Sequence, residues 1–275
     1  MAELPPWLAS LLRIGGGIGI GYVLLVGVIY VVQNALIYLP QKLSSVQAAR
    51  LAGERNLKPW PAGGARGYLR QPSGAARGTV VVFHGNAGTA LDSEHFADAL
   101  VPLGYRVVLA EYPGYGERDG TLGQASLTAD AVATLTAARR DFPGPLVAWG
   151  ESLGTGVAAA AVAGRPQLVD GVVLLNPWDR LVGLASHHYP YLPVRWLLRD
   201  RYDQVESLAG FAGPTVVLLC GADRTIPPQF GRRLFDSLRG RKHLHVFADA
   251  DHNDWPADPA EPWWREVMLQ ALPGA

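Results

Sequence analysis

Six short runs of β-branched and apolar residues, separated by longer stretches of helical character, constrain the fold of this chain most. The runs lie at 79–83 (TVVVF), 105–110 (YRVVLA), 146–149 (LVAW), 171–175 (GVVLL), 215–219 (TVVLL) and 243–247 (HLHVF). The helical stretches lie at 90–103, 122–140, 153–162 and 230–238. Continuous apolar runs are typical of strands buried on both faces, and strands joined through helices form right-handed crossovers. The pattern predicts an α/β fold with a mostly parallel sheet flanked by helices.

The beginning of the chain predicts a membrane anchor. No charged residue lies between Arg13 and Lys42, and the most apolar part, 14–32, has 19 residues. As a helix this part would be about 28 Å long, close to the thickness of a bilayer core. A cleaved signal peptide has a shorter apolar region that ends in small residues, whereas this one ends in VVQN. We expect residues 1–42 to form an uncleaved anchor with a helix over about 14–39, and keep a signal peptide and a buried core helix as alternatives.

The charges flanking the apolar run predict its orientation. Arg13 is the only basic residue before the run, whereas Lys42, Arg50, Arg55 and Lys58 follow it. Because positive charges favour the cytoplasmic side, we expect a single-pass membrane protein whose large C-terminal part, 43–275, lies in the cytoplasm.

Glycines crowd the start of the same run. Gly15 and Gly19, and likewise Gly17 and Gly21, are four residues apart, a spacing that lets membrane helices approach closely and would allow a homodimer. No reading frame gives the G-x-G-x-x-G pattern of a dinucleotide site and no strand precedes it, so we expect no such cofactor.

Composition excludes several classes of protein. Lys plus Arg and Asp plus Glu are both 24, which argues against a nucleic-acid partner because such proteins need a basic face. Hydrophobic residues make up 49% of the 275 residues, enough to bury a sizeable core. A lone cysteine, Cys220, excludes an intrachain disulfide and a Cys-rich zinc site.

The run at 146–149 leads directly into Gly150-Glu151-Ser152-Leu153-Gly154, a G-x-S-x-G sequence at a strand-to-helix junction. A nucleophilic serine at such a junction sits on a sharp turn, so that its neighbours must be small. We therefore predict that Ser152 is the nucleophile and that the Leu153 N–H binds the oxyanion. The alternative is a glycine-rich turn with a capping serine.

The run at 79–83 ends in His84-Gly85-Asn86-Ala87-Gly88. A second oxyanion N–H is expected from the loop after this strand, and Asn86 is the candidate. For His84 we expect a structural role in holding the loop.

A base and an acid are expected in the order serine, acid, histidine. Asp223 follows the run at 215–219, and His252 follows the run at 243–247. We predict that His252 is the base and Asp223 the orienting acid, with Asp249 and Asp251 as rival acids. The direct neighbours of His252 are poorly placed to reach its ring while the ring faces Ser152.

Divalent-metal binding by Asp249, Asp251, His252 and Asp254 is a weaker interpretation of the same segment. The segment lacks a second histidine and a metal-loop spacing. We expect no metal and no cofactor.

Together, several motifs resemble the α/β-hydrolase superfamily, and more narrowly its Bem46-like branch with the ABHD13-like and ABHD17-like proteins. The matching sequences are ALIYLP, VVFHGNAGT, EYPGYGERDGT, GESLGTGVA, HHYPYLPVRWLLRDRYD, GADRTIPP and DADHND. The resemblance implies a Ser152–Asp223–His252 triad, an oxyanion hole from Asn86 and Leu153, and a short lid. Relatives commonly follow the GYG turn closely with serine and glycine, whereas this chain has Glu117-Arg118-Asp119 before Gly120.

The segment between the fourth and fifth runs, about 176–213, is rich in aromatic residues and has the length of a small lid. These aromatics could line an acyl pocket or pack the lid. We take Trp178 from this segment, and Tyr115 from the GYG turn, as candidate substrate-binding residues.

We expect a membrane-anchored serine hydrolase that cleaves ester or thioester bonds. The resemblance implies acyl-bearing small molecules, lipids or lipidated proteins as substrates. A serine peptidase on the same fold, and a membrane-tethered binding protein with an inactive site, are the alternatives.

Overall fold

The computed structural model describes residues 5–61, 64 and 66–272. Its strands form an eight-stranded sheet and a separate two-stranded one. The strands are β1 (Leu39–Pro40), β2 (Lys58–Trp60), β3 (Gly67–Arg70), β4 (Gly78–Phe83), β5 (Ala87–Gly88), β6 (Tyr105–Ala110), β7 (Leu146–Glu151), β8 (Gly171–Leu175), β9 (Thr215–Cys220) and β10 (Lys242–Phe247).

The large sheet confirms the predicted α/β fold. Its order is β10-β9-β8-β7-β4-β6-β3-β2, and the six strands from β10 to β6 run parallel. These six strands correspond to the six predicted runs. At the far edge, β3 pairs antiparallel with β6, and β2 pairs antiparallel with β3. The sequence analysis did not predict these two edge strands.

Side chains of the central strands alternate between the two faces of the sheet and so form two layers of the core. Val81 of β4 and Ala148 of β7 belong to the layer on one face, whereas their neighbours Val80 and Val147 belong to the other. Successive side chains of a strand point to opposite faces, and here both faces are covered. The central strands are therefore apolar at nearly every position.

Ten α-helices surround or extend from the sheet in the part of the chain that the structure describes. They are α1 (Pro6–Ile37), α2 (Ser45–Glu54), α3 (Glu94–Leu100), α4 (Gln124–Asp141), α5 (Leu153–Gly164), α6 (Leu181–His188), α7 (Val194–Leu197), α8 (Gln204–Leu208), α9 (Pro228–Ser237) and α10 (Trp263–Ala271). The helix predicted at 90–103 is instead a 3₁₀ turn, Ala90–Ser93, followed by α3. A capping box between Thr89 and Asp92 holds the turn.

Helix α1 begins earlier and ends slightly sooner than the predicted 14–39. Pro6 occupies its first position, where the missing N–H is tolerated, and Tyr38 turns into extended backbone at its end. Within α1, Ser10–Ile37 is a 28-residue segment that is long and apolar enough to cross a membrane, and its most apolar window is not buried in the protein.

An insertion between β8 and β9 carries α6, α7 and α8, and residues of α6 lie beside the carboxyl ends of the central strands, near Ser152 and His252. It occupies the segment predicted as a lid. The Trp178 indole donates a hydrogen bond to the Tyr202 carbonyl over 3.2 Å, which ties the start of the insertion to a later part of it.

Candidate active site

Ser152 occupies a strained turn between β7 and α5. Its backbone has φ 51° and ψ −117°, in a region that non-glycine residues seldom adopt. A Cβ on Gly150 would overlap the backbone of Gly154 and Thr155, and a Cβ on Gly154 would overlap the Phe83 carbonyl oxygen. Both glycines of the motif are therefore required for β7, β4 and α5 to approach so closely.

The structure brings Ser152, His252 and Asp223 together. His252 Nδ1 lies 2.7 Å from Asp223 Oδ2, and His252 Nε2 lies 3.1 Å from Ser152 Oγ. A carboxylate can only accept, so the Nδ1–H donates to Asp223, and Nε2 is left to accept the Ser152 hydroxyl proton. This is the geometry in which an imidazole can take a proton from a serine hydroxyl.

The other carboxylate oxygen of Asp223 is also fixed. Asp223 Oδ1 accepts the Thr225 N–H over 2.8 Å and the Ile226 N–H over 2.7 Å. The residue is 4% exposed. Because each oxygen has its own donors, the carboxylate plane is held toward the His252 ring.

Asp251, a rival acid, points elsewhere. Its Oδ1 accepts the backbone N–H groups of Arg224 and His252, and its Oδ2 accepts Arg224 Nε over 2.7 Å. These backbone hydrogen bonds, together with the Arg224 guanidinium, lower the pKa of Asp251 to about 2. The carboxylate thus orders the loop around His252 and does not contact the imidazole. In the described residues no group of three or more His, Cys, Asp or Glu side chains is arranged to hold a metal ion.

The two predicted oxyanion donors lie beside the nucleophile. Leu153 is the first residue of α5, where the N–H has no acceptor within the helix. A Cβ on Gly85 would lie 3.8 Å from Ser152 Cβ, so the loop that carries Asn86 passes close to the nucleophile.

Three hydrogen bonds hold Asn86 in this loop. Its carbonyl accepts the Leu39 N–H and the Tyr115 hydroxyl, each over 2.9 Å, and its side-chain amide donates to the Ile37 carbonyl over 3.3 Å. These bonds hold the Asn86 side chain and the peptide that follows it, so the Asn86 N–H, in the preceding peptide, is held through the Asn86 Cα at the wall of the cavity.

His84 has the structural position expected for it. Its Nδ1–H donates to the Gly85 carbonyl over 2.8 Å, and its Nε2 lies 3.1 Å from Glu111 Oε1. Both His84 and Glu111 are buried. With both ring nitrogens occupied, His84 supports the loop and is not directed at the Ser152 hydroxyl.

A cavity of 530 Å³ opens in front of Ser152. Trp178 lines it, with its ring buried under the insertion, and its contact with substrate stays a prediction. Tyr115 does not line it. The Tyr115 side chain is fully buried behind the 84–88 loop, where its hydroxyl donates a hydrogen bond to the Asn86 carbonyl. The predicted direct contact with substrate is therefore wrong, and Tyr115 instead supports the loop.

Glu151, the second residue of the serine motif, also lines the cavity and was not singled out from the sequence. Burial raises the pKa of Glu151, an effect opposed by the nearby His252 and His84 and by a hydrogen bond from Trp255. The sequence could have indicated this position, because Glu151 directly precedes the predicted nucleophile and the same turn brings both residues to the site.

The end of α1 is a second part of the site that the sequence analysis missed. Leu36 and Ile37 line the cavity, and β1 pairs in parallel with β5, next to Asn86. The segment predicted as a separate anchor thus forms one wall of the cavity. The motif ALIYLP could have indicated this contact, because it extends beyond the apolar run toward the catalytic domain.

Comparisons with known proteins give a consistent family. A family model described as serine aminopeptidase, S33, matches residues 74–199. The uncharacterized protein Rv2307c of Mycobacterium tuberculosis is 34% identical over 190 residues, which cover 68% of this chain and 67% of that protein. The lysophosphatidylserine lipase ABHD12 of Danio rerio is 31% identical over 186 residues, covering 60% of this chain and 48% of that lipase. The chain therefore spans about half the length of this lipase.

Solved structures share the fold at low sequence identity. The monoacylglycerol lipase of Paleococcus ferrophilus has a TM-score of 0.56 at 22% identity, covering 73% of this chain and 96% of its own. Est1E from Butyrivibrio proteoclasticus, in complex with ferulic acid, has a TM-score of 0.62 at 15% identity, covering 74% and 94%. The mycobacterial relative, the family model and the ABHD12 lipase show that the chain belongs to the α/β-hydrolase superfamily, whose fold these solved structures share.

Proposed function

We propose that this protein is a membrane-anchored serine hydrolase that cleaves carboxylic ester or thioester bonds. The observation that carries the proposal is the hydrogen-bonded series from Ser152 Oγ to His252 and on to Asp223, with separations of 3.1 and 2.7 Å. The series stands at a strained turn beside a cavity, where a nucleophile can reach a bound acyl group.

In the first half-reaction, Ser152 Oγ attacks the substrate carbonyl carbon while His252 Nε2 takes the hydroxyl proton. Asp223 holds the ring and stabilises the imidazolium that forms. The N–H groups of Asn86 and Leu153 bind the negative oxygen of the tetrahedral intermediate. The imidazolium then donates its proton to the leaving alcohol or thiol, and an acyl-enzyme on Ser152 remains.

In the second half-reaction, water attacks the acyl-enzyme. His252 Nε2 takes a proton from the water, and the same two N–H groups bind the new oxyanion. Collapse of the intermediate returns the proton to Ser152 Oγ and releases the carboxylic acid. Apart from the substrate and this water, both steps use only groups of the chain itself.

The cavity supports an acyl substrate. Its wall near the insertion is apolar, formed by Leu181, Leu184, Trp178 and the α1 residues Leu36 and Ile37. Apolar walls that converge on a few polar groups are typical of sites for amphiphilic ligands. Because similar proteins include lipases, we propose an acyl-bearing lipid, a lipidated protein or a smaller acyl ester as substrate.

We further propose that residues 1–42 anchor the protein through α1 and that 43–275 form the hydrolase domain, with a lid over about 176–213. The positive charges that follow the helix support a cytoplasmic location for the domain by the positive-inside bias. The glycines at the start of α1 have open space beside them, so a homodimer through this face stays a prediction.

A fluorophosphonate probe tests the proposed nucleophile. The parent chain should become labelled, and Ser152→Ala should not. Ser93→Ala is the matched control, because Ser93 lines the same cavity but its hydroxyl makes no hydrogen bond to a histidine in the described part of the chain, and it should label like the parent. Equal labelling of the parent and Ser152→Ala would refute the proposal.

A serine peptidase is the second candidate, favoured by the description of the matching family model. Paired p-nitrophenyl esters and p-nitroanilides of the same acyl groups distinguish the two candidates. Higher kcat/KM for the anilides would favour the peptidase. Probe inertness together with no turnover of either series would instead indicate a binding protein.

A further inference from the structure

The insertion that covers the site also runs along α1. The Tyr22 hydroxyl donates to the Tyr191 carbonyl over 2.8 Å. Further along the helix, Gln33 Nε2 donates to the Leu197 carbonyl over 3.2 Å, and Gln33 Oε1 accepts the Arg199 N–H over 2.9 Å. Tyr22 and Gln33 are three turns apart, so they lie on the same side of the helix. We call residues 189–199, which run beside this side of α1, the lid tip.

The length of α1 decides where a bilayer can meet the lid tip. The helical residues before Tyr22 number 16, from Pro6, and they include Arg13. At 1.5 Å per residue they span about 24 Å, less than the ~30 Å of a hydrocarbon core, and a tilt would shorten this span further. A bilayer crossed by α1 must therefore extend past Tyr22, to the level of the lid tip.

The side chains of the lid tip suit this position. Tyr189, Tyr191 and Trp196 are 49%, 66% and 76% exposed. Tyrosine and tryptophan are the residues that favour the boundary between hydrocarbon and headgroups. Three exposed aromatics within eight residues are unusual on a surface that faces water, because together they form an apolar patch.

Basic residues stand beside these aromatics. The Arg195 guanidinium lies 5.7 Å from the Trp196 ring, and the Arg199 guanidinium lies 5.4 Å from the Tyr30 ring of α1 and 3.2 Å from Asn34 Oδ1. Arg199 thus lies nearer the end of α1 than Tyr191 does. Arginine side chains at this level can reach lipid phosphates while their stems stay against apolar groups.

We infer that the lid tip inserts into the headgroup region of a bilayer that contains anionic phospholipid, and that it delivers membrane-resident acyl lipids to Ser152. The inference rests on the proposed hydrolase function and anchor. The cavity in front of Ser152 is lined by Leu36 and Ile37 of α1 and by Leu184, Ala185 and Tyr189 of the insertion. An acyl chain leaving the bilayer beside the lid tip therefore enters between two apolar walls without crossing water.

Site-specific fluorescence quenching tests the insertion. The only cysteine, Cys220, is 1% exposed, so the full-length chain accepts single-cysteine labels with little background. Tyr191→Cys and Trp196→Cys are labelled with a nitrobenzoxadiazole dye, and the protein is reconstituted into phosphatidylcholine–phosphatidylglycerol vesicles with and without doxyl-labelled lipid. Ser73→Cys is the control, because Ser73 is exposed and precedes β4, at the opposite edge of the sheet from the site.

We expect doxyl lipid to quench the labels at 191 and 196 several-fold more than the label at 73, and quenching at 196 to weaken when phosphatidylglycerol is omitted. Quenching at 191 and 196 no greater than at 73 would overturn the inference. Cross-linking between chains at 196 in that case would assign the face to a contact between copies.

Activity separates this inference from the proposed function. Trp196→Ser should lower turnover of a long-chain acyl lipid in the vesicles several-fold, while kcat/KM for water-soluble p-nitrophenyl acetate stays within twofold of the parent. Equal loss on both substrates would contradict delivery from the membrane. Ser152→Ala should abolish both activities whatever the lid tip does, so failure of the insertion and failure of the hydrolase proposal give different results.

Discussion

The exchange Asp223→Asn tests the role of Asp223 through the direction of two hydrogen bonds. The Thr225 and Ile226 N–H groups both donate to Asp223 Oδ1. In the variant, these donors will hold the amide oxygen on their side, because an amide nitrogen there would leave two buried N–H groups without an acceptor. The amide nitrogen then faces His252 Nδ1 and donates to it.

This reversal changes the imidazole tautomer. If Nδ1 accepts, the proton of the neutral ring lies on Nε2, which can no longer take the proton of Ser152. The same exchange in a serine triad lowers kcat about 10⁴-fold. At 1.36 kcal/mol for each factor of ten, this corresponds to about 5 kcal/mol of lost transition-state stabilisation.

The measurement is kcat for p-nitrophenyl butyrate in detergent, with the melting temperature as a check that the variant folds. Asp251→Asn is the matched control, because Asp251 binds Arg224 and the His252 backbone but does not touch the ring. We expect the control to stay within about tenfold of the parent. A well-folded Asp223→Asn that keeps more than about a hundredth of the parent kcat would refute the tautomer argument.

Two further predictions concern stability and the N-terminal segment. Burial lowers the pKa of His95 to about 4, so as pH falls the unfolded chain takes up this proton first and stability is lost between the unfolded pKa of 6.5 and 4. We expect a loss of about 2 kcal/mol between pH 7 and pH 5 that is absent in His95→Phe, measured by urea unfolding in detergent; equal pH dependence in both would contradict it. A chain that starts at Gln33 keeps Leu39, whose N–H donates to the Asn86 carbonyl, whereas a chain that starts at Leu43 lacks it. The chain starting at Gln33 should keep turnover of p-nitrophenyl butyrate, whereas the chain starting at Leu43 should lose up to about 10²-fold, and similar activity in both would show that the oxyanion loop needs no such support.

The sheet and the positions of the site residues could be predicted because their signals are local. Each central strand is buried on both faces and is therefore a continuous apolar run, which a window of a few residues reveals. Parallel strands end at one edge, so residues that directly follow β7, β9 and β10 had to converge. Ser152, Asp223 and His252 occupy those positions, and the structure places them within hydrogen-bonding distance.

Other features could not be predicted because their signals are weak or distant in sequence. Strand β3 is half-buried and short, and its pairing with β6 depends on the rest of the sheet. Helix α2 lies in a segment without clear period, although the capping box between Ser44 and Gln47 marks its start. The role of Tyr115 depends on Asn86, 29 residues away, and no local pattern reveals such a contact.

The residues that join α1 to the sheet connect the candidate membrane helix to the site around Ser152. The Tyr38 hydroxyl donates to Asp200 of the insertion over 2.7 Å, and the next residue, Leu39, donates its N–H to Asn86. One dipeptide thus contacts both the insertion above the cavity and the loop beside the nucleophile. Because α1 continues directly into this dipeptide, any displacement of the helix relative to the sheet must disturb either Asp200 or Asn86. The end of α1 therefore helps to set the geometry of the cavity.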